Sequence, residues 1–266
     1  MDAVFLSRIQ FALAAGFHFI FPPLTLGIGL MIFINETIFI KTGNEMNKNI
    51  SKFLVKIIAL VFSIGVATGI VLEFSFGTNW SNYSRIVGDI FGAPLAAEAV
   101  IAFFLESVFI GVLLFGRDRV SKRVYWLAAF LVFFGSHLSG LWIIIANSWM
   151  QTPAGFVIEG GRAVMTSFSE AAINHSTLQR FLHTIVGGWI SGSLFMAGIA
   201  SYYLIKKRDI DYAKPILKMS LLIFIFTSFL QFGTGHMHAV QVGKTQPVKM
   251  AAIEGLWDTR EGAPLS

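Results

Sequence analysis

The hydrophobic pattern of this chain is dominated by six long apolar stretches, separated by short polar and charged segments. Each stretch holds about 20 residues or more, enough for a helix that crosses the ~30 Å hydrocarbon core of a bilayer. The stretches lie near residues 10–40, 53–76, 93–115, 124–149, 178–205 and 215–233. The pattern therefore predicts an all-α fold, a polytopic membrane helix bundle with about six transmembrane helices.

Prolines predict a kink in one of these helices and the start of another. The first stretch is overlong and contains Pro22 and Pro23, which predict a kink near its middle because proline interrupts the helical hydrogen bonds. In the third stretch, Pro94 follows Gly92 and Ala93. A proline near the first helical turn loses no hydrogen bond, so the third helix is predicted to begin there.

The composition agrees with a membrane protein. Of 266 residues, 55% are hydrophobic and only 13% are charged, whereas soluble domains have about 25% charged residues. The chain has no cysteine, which excludes disulfides, thiolate-bound iron–sulfur clusters, covalent c-type heme and cysteine zinc sites. The net charge of +5 does not indicate nucleic-acid binding, because the basic residues lie between the apolar stretches.

The distribution of these basic residues predicts the orientation. Thirteen of the 20 lysines and arginines lie on alternate loops: Lys41, Lys48, Lys52, Lys56, Arg117, Arg119, Lys122, Arg123, Lys206, Lys207, Arg208, Lys214 and Lys218. The other seven lie on the opposite side: Arg8, Arg85, Arg162, Arg180, Lys244, Lys249 and Arg260. The positive-inside rule then puts the thirteen in the cytoplasm and both termini outside. The outer segments 77–92 and 146–177 fit an aromatic belt or a capped cofactor or quinol site equally well.

Seven ionisable side chains lie within or at the edges of the apolar stretches: His18, Glu36, Glu73, Glu98, Glu106, His137 and His183. A charged group at mid-membrane costs roughly 2.5–3.5 kcal/mol on insertion scales, so such residues usually face a cofactor, a proton path or a partner charge. Imidazole is a common axial ligand of heme iron, and a buried carboxylic acid can hold and release a proton near neutral pH. The set favours a membrane redox protein that binds heme and moves protons.

A simpler interpretation competes with this one. A lone histidine in a span makes an interhelical hydrogen bond about twice as often as it binds a metal, and His137, beside Ser136 and Ser139, fits that interpretation. Glu36 and Glu73 lie near span ends, where they are expected to reach the interface. The adjacent histidine pair of heme–copper oxidases is absent. The His-Met-His motif at 236–238 is weak evidence for a metal site.

Seven sequence blocks resemble subunit I of the cytochrome bd quinol oxidases. They run in the order of that family and cover nearly the whole chain. The blocks are LSRIQFAL (6–13), HFIFPPLTLG (18–27), VATGIVLEFSFGTNWSNYS (66–84), GDIFGAPLAAEAVIAFFLES (88–107), WIIIANSWMQTPAG (142–155), FLHTIVGGWISG (181–192) and KTQPVKMAAIEGLWDT (244–259).

The resemblance implies heme-site roles for four residues. His18 matches the histidine ligand of heme d, the heme that reduces oxygen, and His183 matches one axial ligand of the low-spin heme b558. Glu98 and Glu106 match carboxylates associated with the high-spin hemes, heme b595 and heme d, and with proton delivery. Whether the oxygen site holds heme d or heme b is left open.

The resemblance also implies a quinol site and a domain division. Lys249 and Glu254 match the quinol-oxidising loop, where a fixed cation and a base suit quinol binding and deprotonation. Residues 1–235 are expected to form the six-helix bundle and 236–266 the start of the external quinol-binding loop. The family's last ligands to the two b hemes lie beyond Ser266. The chain is therefore expected to be a truncated product or one part of a split gene, inactive alone.

The sequence thus predicts a heme-binding subunit of a quinol:oxygen oxidoreductase in a bacterial or archaeal plasma membrane. It would oxidise ubiquinol or menaquinol at the outer face and reduce O2 to water with cytoplasmic protons. Its expected partners are subunit II, quinol, O2 and membrane lipid, and no nucleic acid. Two alternatives are an inactive membrane subunit and a proton-coupled transporter, although the inverted repeats typical of transporters are not visible.

Overall fold

A computed structural model of the chain describes residues 2–258 and 261–262. Met1, Arg260 and Ser266, which the sequence analysis assigns to the outer side, lie outside the described residues. The described part forms α1 (Ala3–His18), α2 (Phe21–Thr42), α3 (Glu45–Gly77), α4 (Ser81–Ala97), a π-helical segment (Glu98–Phe103), α5 (Phe104–Phe115), α6 (Lys122–Gln151), β1 (Phe156–Glu159), β2 (Arg162–Met165), α7 (Phe168–Ala172), α8 (Thr177–Ile205), α9 (Ile210–Thr245) and α10 (Pro247–Glu254).

Six helical spans confirm the predicted all-α membrane bundle. Each is long and apolar enough to cross a bilayer: Ala3–Thr42, Glu45–Gly77, Ser81–Phe115, Lys122–Gln151, Thr177–Ile205 and Ile210–Thr245. The chain is therefore a multi-pass membrane protein. The links at 43–44, 116–121 and 206–209 lie at one end, here named the basic end. The opposite end carries β1, β2 and α10 and is named the hairpin end.

The first span is broken, as the two prolines predict. The helix α1 ends at His18, Phe19 is its C-cap, and α2 begins at Phe21 with proline in its first turn. Neither Pro22 nor Pro23 has an N–H to continue the ladder of α1, so the chain stops and restarts there. The break leaves His18 at the last position of α1.

The third span differs from its predicted start. Pro94 was expected in the first turn, but α4 already begins at Ser81, and Pro94 lies inside it. That prediction is wrong because the polar segment 81–92 continues the helix. Loss of the Pro94 N–H weakens the ladder, and four residues later the helix widens into the π-helical segment that begins at Glu98. Such segments are frequent at functional sites.

The long connection between α6 and α8 contains a small hairpin that the sequence did not predict. Strands β1 and β2 pair antiparallel, with Glu159 opposite Arg162. The two residues between them, Gly160 and Gly161, have φ angles of 54° and 74°. Two left-handed residues in succession form a tight hairpin turn that favours glycine.

Close packing of α2 on α8 holds the middle of the bundle together. A Cβ atom on Gly27 would lie 2.6 Å from the Cα of Gly192, and one on Gly188 would lie 2.7 Å from Leu26 Cδ1. Small residues four positions apart, here Gly188 and Gly192, let the two backbones touch, which is a common basis of helix association in membranes.

A buried ion pair lies toward the basic end. Glu36 was expected to reach the interface, but it is 1% exposed. Arg117 donates to Glu36 Oε2 at 3.0 Å and makes a second, shorter contact with Oε1. The guanidinium also lies 3.7 Å from the centroid of the Tyr125 ring. This bidentate pair joins the link 116–121 to α2. Glu36 is therefore paired within the protein and does not reach water at the interface.

The sixth spanning helix runs past the expected domain boundary. Helix α9 continues to Thr245, ten residues beyond residue 235, and α10 follows after Gln246. The assignment of residues 236–266 to the start of a quinol-binding loop stays a prediction.

The contact between α2 and α8 generates a test of the packing. Gly192→Ala would push a methyl group into the backbone of Gly27, and we expect it to lower the free energy of unfolding by about 1–3 kcal/mol. Gly198→Ala is the matched control, because nothing lies within 4 Å of a Cβ at Gly198 on the same helix. Unfolding of the purified chain in detergent measures both, and equal stability of the two variants would contradict the packing.

Candidate functional site

His18 lies at the hairpin-end side of the break between α1 and α2, where it faces α3. Its Nδ1 atom lies 3.0 Å from Thr68 Oγ1. The Thr68 hydroxyl has one hydrogen, which it donates to the carbonyl of Ile64 (2.9 Å) or Gly65 (3.0 Å). In the tautomer with its proton on Nδ1, His18 donates to Thr68 and keeps the lone pair on Nε2.

The surroundings of His18 fit a metal-ligating imidazole. A hydrogen bond at one ring nitrogen that fixes the tautomer and orients the other toward a metal is the usual arrangement of histidine ligands. Gly69 lies beside the ring, and a Cβ there would be 3.2 Å from His18 Cε1. The threonine therefore orients the imidazole, and the glycine lets the backbone of α3 approach it closely.

Glu98 begins the π-helical segment and faces α6. Its Oε1 atom accepts a hydrogen bond from Ser139 at 2.7 Å. Its Oε2 atom is buried and has no hydrogen-bond partner among the described residues. A buried oxygen without a partner costs free energy unless a ligand, a water or a proton satisfies it, so Glu98 has one oxygen available for chemistry.

Glu106 lies two helical turns farther along the same span. It is 6% exposed, and its Oε1 atom also has no partner among the described residues. Gly135 on α6 allows the close approach, because a Cβ there would lie 3.5 Å from Glu106 Cβ. Glu98 and Glu106 lie within electrostatic reach of each other, and Glu73 lies within reach of Glu98.

His183 forms a second site between α8 and α9. Its Nδ1 atom lies 3.3 Å from Thr234 Oγ1, and the Gln231 side-chain nitrogen lies 3.0 Å from Nδ1 and 3.2 Å from Nε2. The single amide nitrogen therefore lies within hydrogen-bond distance of both ring nitrogens. A Cβ on Gly235 would lie 3.4 Å from the ring, so glycine again lets a helix backbone approach an imidazole closely.

A polar cluster adjoins His183 at the hairpin end. The His238 ring lies 5.5 Å from that of His183 between centroids, and its Nε2 atom is buried and unpartnered among the described residues. Arg180 donates to Asn147 Oδ1 at 2.7 Å. Cationic and imidazole groups from α8, α9 and α10 thus converge on one side of the bundle.

Lys249 joins this cluster from α10. Its Nζ atom donates to Gln151 Oε1 at 2.9 Å, and Gln246 donates to the same oxygen at 3.1 Å. Burial, and after it the charge of Arg180, lower the pKa of the Lys249 ammonium group. Glu254 ends α10, five positions later, about 140° farther around the helix axis. The two predicted quinol residues therefore lie on different faces of α10.

His137 has both ring nitrogens occupied. Nδ1 lies 2.6 Å from the carbonyl oxygen of Phe133, and Nε2 accepts from Trp189 Nε1 at 2.9 Å. This interhelical contact agrees with the structural interpretation of His137. No group of three or more possible metal-ligating side chains lies within residues 2–258 and 261–262, so the His-Met-His motif has no further ligands there.

Sequence reasoning missed the residues that contact the predicted ones, chiefly Thr68 and Gly69 beside His18 and Gln151 beside Lys249. One of the missed groups had a signal. Gln231, Thr234 and His238 recur at intervals of three and four residues, which puts them on one face of α9. A polar stripe on an otherwise apolar helix indicates a site, and here it faces His183.

Comparison with known proteins finds one family. The family model for cytochrome bd terminal oxidase subunit I matches residues 6–266. Cytochrome bd ubiquinol oxidase subunit 1 of Bacillus subtilis is 43% identical over 258 residues, which are 97% of this chain and 55% of the relative. Cytochrome bd-II ubiquinol oxidase subunit 1 of Escherichia coli is 46% identical over 268 residues, which are 99% of this chain and 51% of the relative.

The fold is similar to that of a solved structure. The bd oxidase of Geobacillus thermodenitrificans superposes with a TM-score of 0.93 at 26% identity, covering 99% of this chain and 61% of the other. The chain spans about half the length of the curated relatives it matches.

Proposed function

Since the chain belongs to the family of cytochrome bd terminal oxidase subunit I, we propose that it is the heme-binding part of a quinol:oxygen oxidoreductase. Quinol would give up two electrons and two protons at the hairpin end. O2 would be reduced to water with four electrons and four protons. The partners would be subunit II, ubiquinol or menaquinol, and O2.

The observation that carries this proposal is the contrast between His18 and His137. His137 has both nitrogens bonded within the protein. Among the described residues, His18 has a contact at Nδ1 only, with Thr68, and the ring of His183 lies beside Gly235 among the polar side chains of Thr234 and Gln231. Under this proposal His18 holds heme d, His183 is one ligand of heme b558, and heme b595 completes the set. The hemes would supply electron transfer and oxygen binding.

The quinol residues are proposed at the junction of α9 and α10. Gln151 holds Lys249 in place at 2.9 Å, and the lowered pKa of the lysine makes it a readier proton donor than an exposed lysine. Lys249 would therefore hydrogen-bond a quinol oxygen. Glu254, on another face of α10, would take a proton from the second hydroxyl or pass it to the solvent.

The carboxylates are proposed to carry protons to the oxygen site. Glu106 is the more deeply placed along the span, and Glu98 lies closer to the hairpin end. Each has one buried oxygen without a hydrogen-bond partner among the described residues. A proton arriving from the basic end would bind Glu106 and then pass to Glu98, whose other oxygen Ser139 orients.

The positive-inside rule orients the bundle with its basic end in the cytoplasm of a bacterial or archaeal cell and both chain termini outside. Quinol protons then leave to the outside while protons for water come from the inside. Charge separation arises from the placement of the two sites, without a pump.

Cysteine labelling tests this orientation. The chain has no native cysteine, so Glu159→Cys at the hairpin and Arg208→Cys between α8 and α9 report without background. We expect an impermeant maleimide to label Glu159→Cys in intact cells and Arg208→Cys only after permeabilisation. Labelling of both variants in intact cells would contradict six alternating spans.

Substitution of Lys249 tests the quinol site. In the enzyme assembled with its remaining segments and subunit II, Lys249→Ala is expected to reduce quinol oxidation at least tenfold, because the hydrogen bond to the quinol oxygen is lost. Gln151→Leu should reduce it less, since it frees the lysine without removing it. Heme absorbance should persist in both, and Lys244→Ala, at the exposed end of α9, is the control. Full turnover of Lys249→Ala would overturn the assignment.

The proton path is tested at Glu106. Glu106→Gln keeps the size of the side chain but removes its exchangeable proton, so steady-state oxygen consumption by the assembled enzyme should fall at least tenfold. The apparent affinity for quinol should stay within about twofold. Glu170→Gln, at an exposed position of α7, serves as the control. Unchanged oxygen consumption by Glu106→Gln would show that the proton path does not use Glu106.

A further inference from the structure

A cavity of about 300 Å³ lies at the basic end, between α3, α8 and α9. It is far along these helices from His183 and the other candidate heme and quinol residues. Its lining combines two lysines of α3, Lys52 and Lys56, with the aromatic side chains Phe53, Tyr203 and Tyr212. The rings of Phe53 and Tyr203 meet edge to face with 6.0 Å between centroids. The cavity therefore offers charged and apolar surface together.

The positive charges of this cavity are only partly compensated within the protein. Lys48, Lys52 and Lys56 follow one another at four-residue intervals, so they lie on one face of α3. Like charges at this spacing destabilise a helix. Lys48 is offset by an ion pair with Glu45 at 2.9 Å. In the described part of the chain, neither Lys52 nor Lys56 forms a salt bridge.

The link between α8 and α9 adds to the positive surface. The Arg208 guanidinium lies 5.8 Å from the centroid of the Tyr203 ring. Its neighbours Lys207 and Asp209 have φ angles of 52° and 44°, a left-handed conformation that is unfavourable for residues with a side chain. This strained turn brings the Asp209 carboxylate to the cavity, where the two lysines still outweigh it.

Lys56 needs a partner for a second reason. It lies eleven residues beyond the start of α3, about 17 Å along the helix axis. Since the apolar stretch of this helix begins near residue 53, Lys56 lies close to the edge of the hydrocarbon core and extends its ammonium group toward the headgroups. The anion that meets it there must lie at the level of the lipid phosphates, beside the apolar and aromatic lining.

From this arrangement we propose that the cavity binds the phosphate of an anionic phospholipid in the leaflet at the basic end. Lys52 and Lys56 contact the phosphate, Tyr203 and Tyr212 donate from their hydroxyls, and Phe53 packs on the first acyl carbons. Basic pockets between spanning helices on the cytoplasmic side bind such headgroups. Free phosphate would gain nothing from the apolar lining, so the lipid is the occupant.

The test is a lipid titration of the purified chain in zwitterionic detergent. Bound phosphatidylglycerol and phosphatidylcholine are counted by native mass spectrometry. We compare Lys52→Gln/Lys56→Gln with Lys214→Gln/Lys218→Gln, an exposed pair with the same four-residue spacing on α9 that does not line the cavity. Lys52→Arg/Lys56→Arg keeps the charge. All these side chains are exposed or half-buried, so folding should be preserved.

The wild-type chain should prefer phosphatidylglycerol. Lys52→Gln/Lys56→Gln should weaken its binding about 30-fold, two steps of about fivefold, because each lysine near an anionic lipid contributes about 1 kcal/mol. The Lys214/Lys218 pair and the arginine pair should stay within about threefold of wild type. Absence of a lipid preference, equal weakening by both glutamine pairs, or displacement of the lipid by inorganic phosphate would each overturn the proposal.

Discussion

Hydrocarbon offers no hydrogen-bond partner, so each polar side chain within a span needs one from the protein or from a ligand. This constraint explains most polar contacts of the bundle. Arg117 satisfies the Glu36 carboxylate, Trp189 satisfies His137, and Ser139 satisfies one oxygen of Glu98. The Trp189 and Ser139 contacts each join two helices, and the Arg117 contact joins the link 116–121 to α2, so the same bonds that satisfy buried polar groups also fix the packing of the bundle.

The same constraint separates structural residues from functional ones. The carboxylate of Glu36 is paired with Arg117, and both ring nitrogens of His137 have hydrogen-bond partners. Neither side chain has an atom left for a ligand or a mobile proton. Glu98 and Glu106 each retain one buried oxygen without a partner among the described residues, and His18 retains Nε2. Glu98 and Glu106 lie on one span within electrostatic reach of each other, whereas the buried ion pair of Glu36 lies toward the basic end.

The sequence predicted the spans because hydropathy over about 20 residues depends only on local composition. It also predicted the break at Pro22 and Pro23, which is a local backbone effect. It failed where distant segments decide the outcome. The burial of Glu36 depends on Arg117, 81 residues away, and the orientation of His18 depends on Thr68, 50 residues away. The start of the third span was missed because segment 81–92 is polar yet helical.

The central claim is that His18 and His183 bind heme and His137 does not. The most direct test is the reduced-minus-oxidised absorption spectrum of membranes that hold the assembled enzyme, with each histidine changed in turn to alanine. We predict that His18→Ala and His183→Ala each remove a different heme signal, while His137→Ala leaves all signals in place. Spectra that are unchanged in the first two variants, or equally reduced in all three, would contradict the claim.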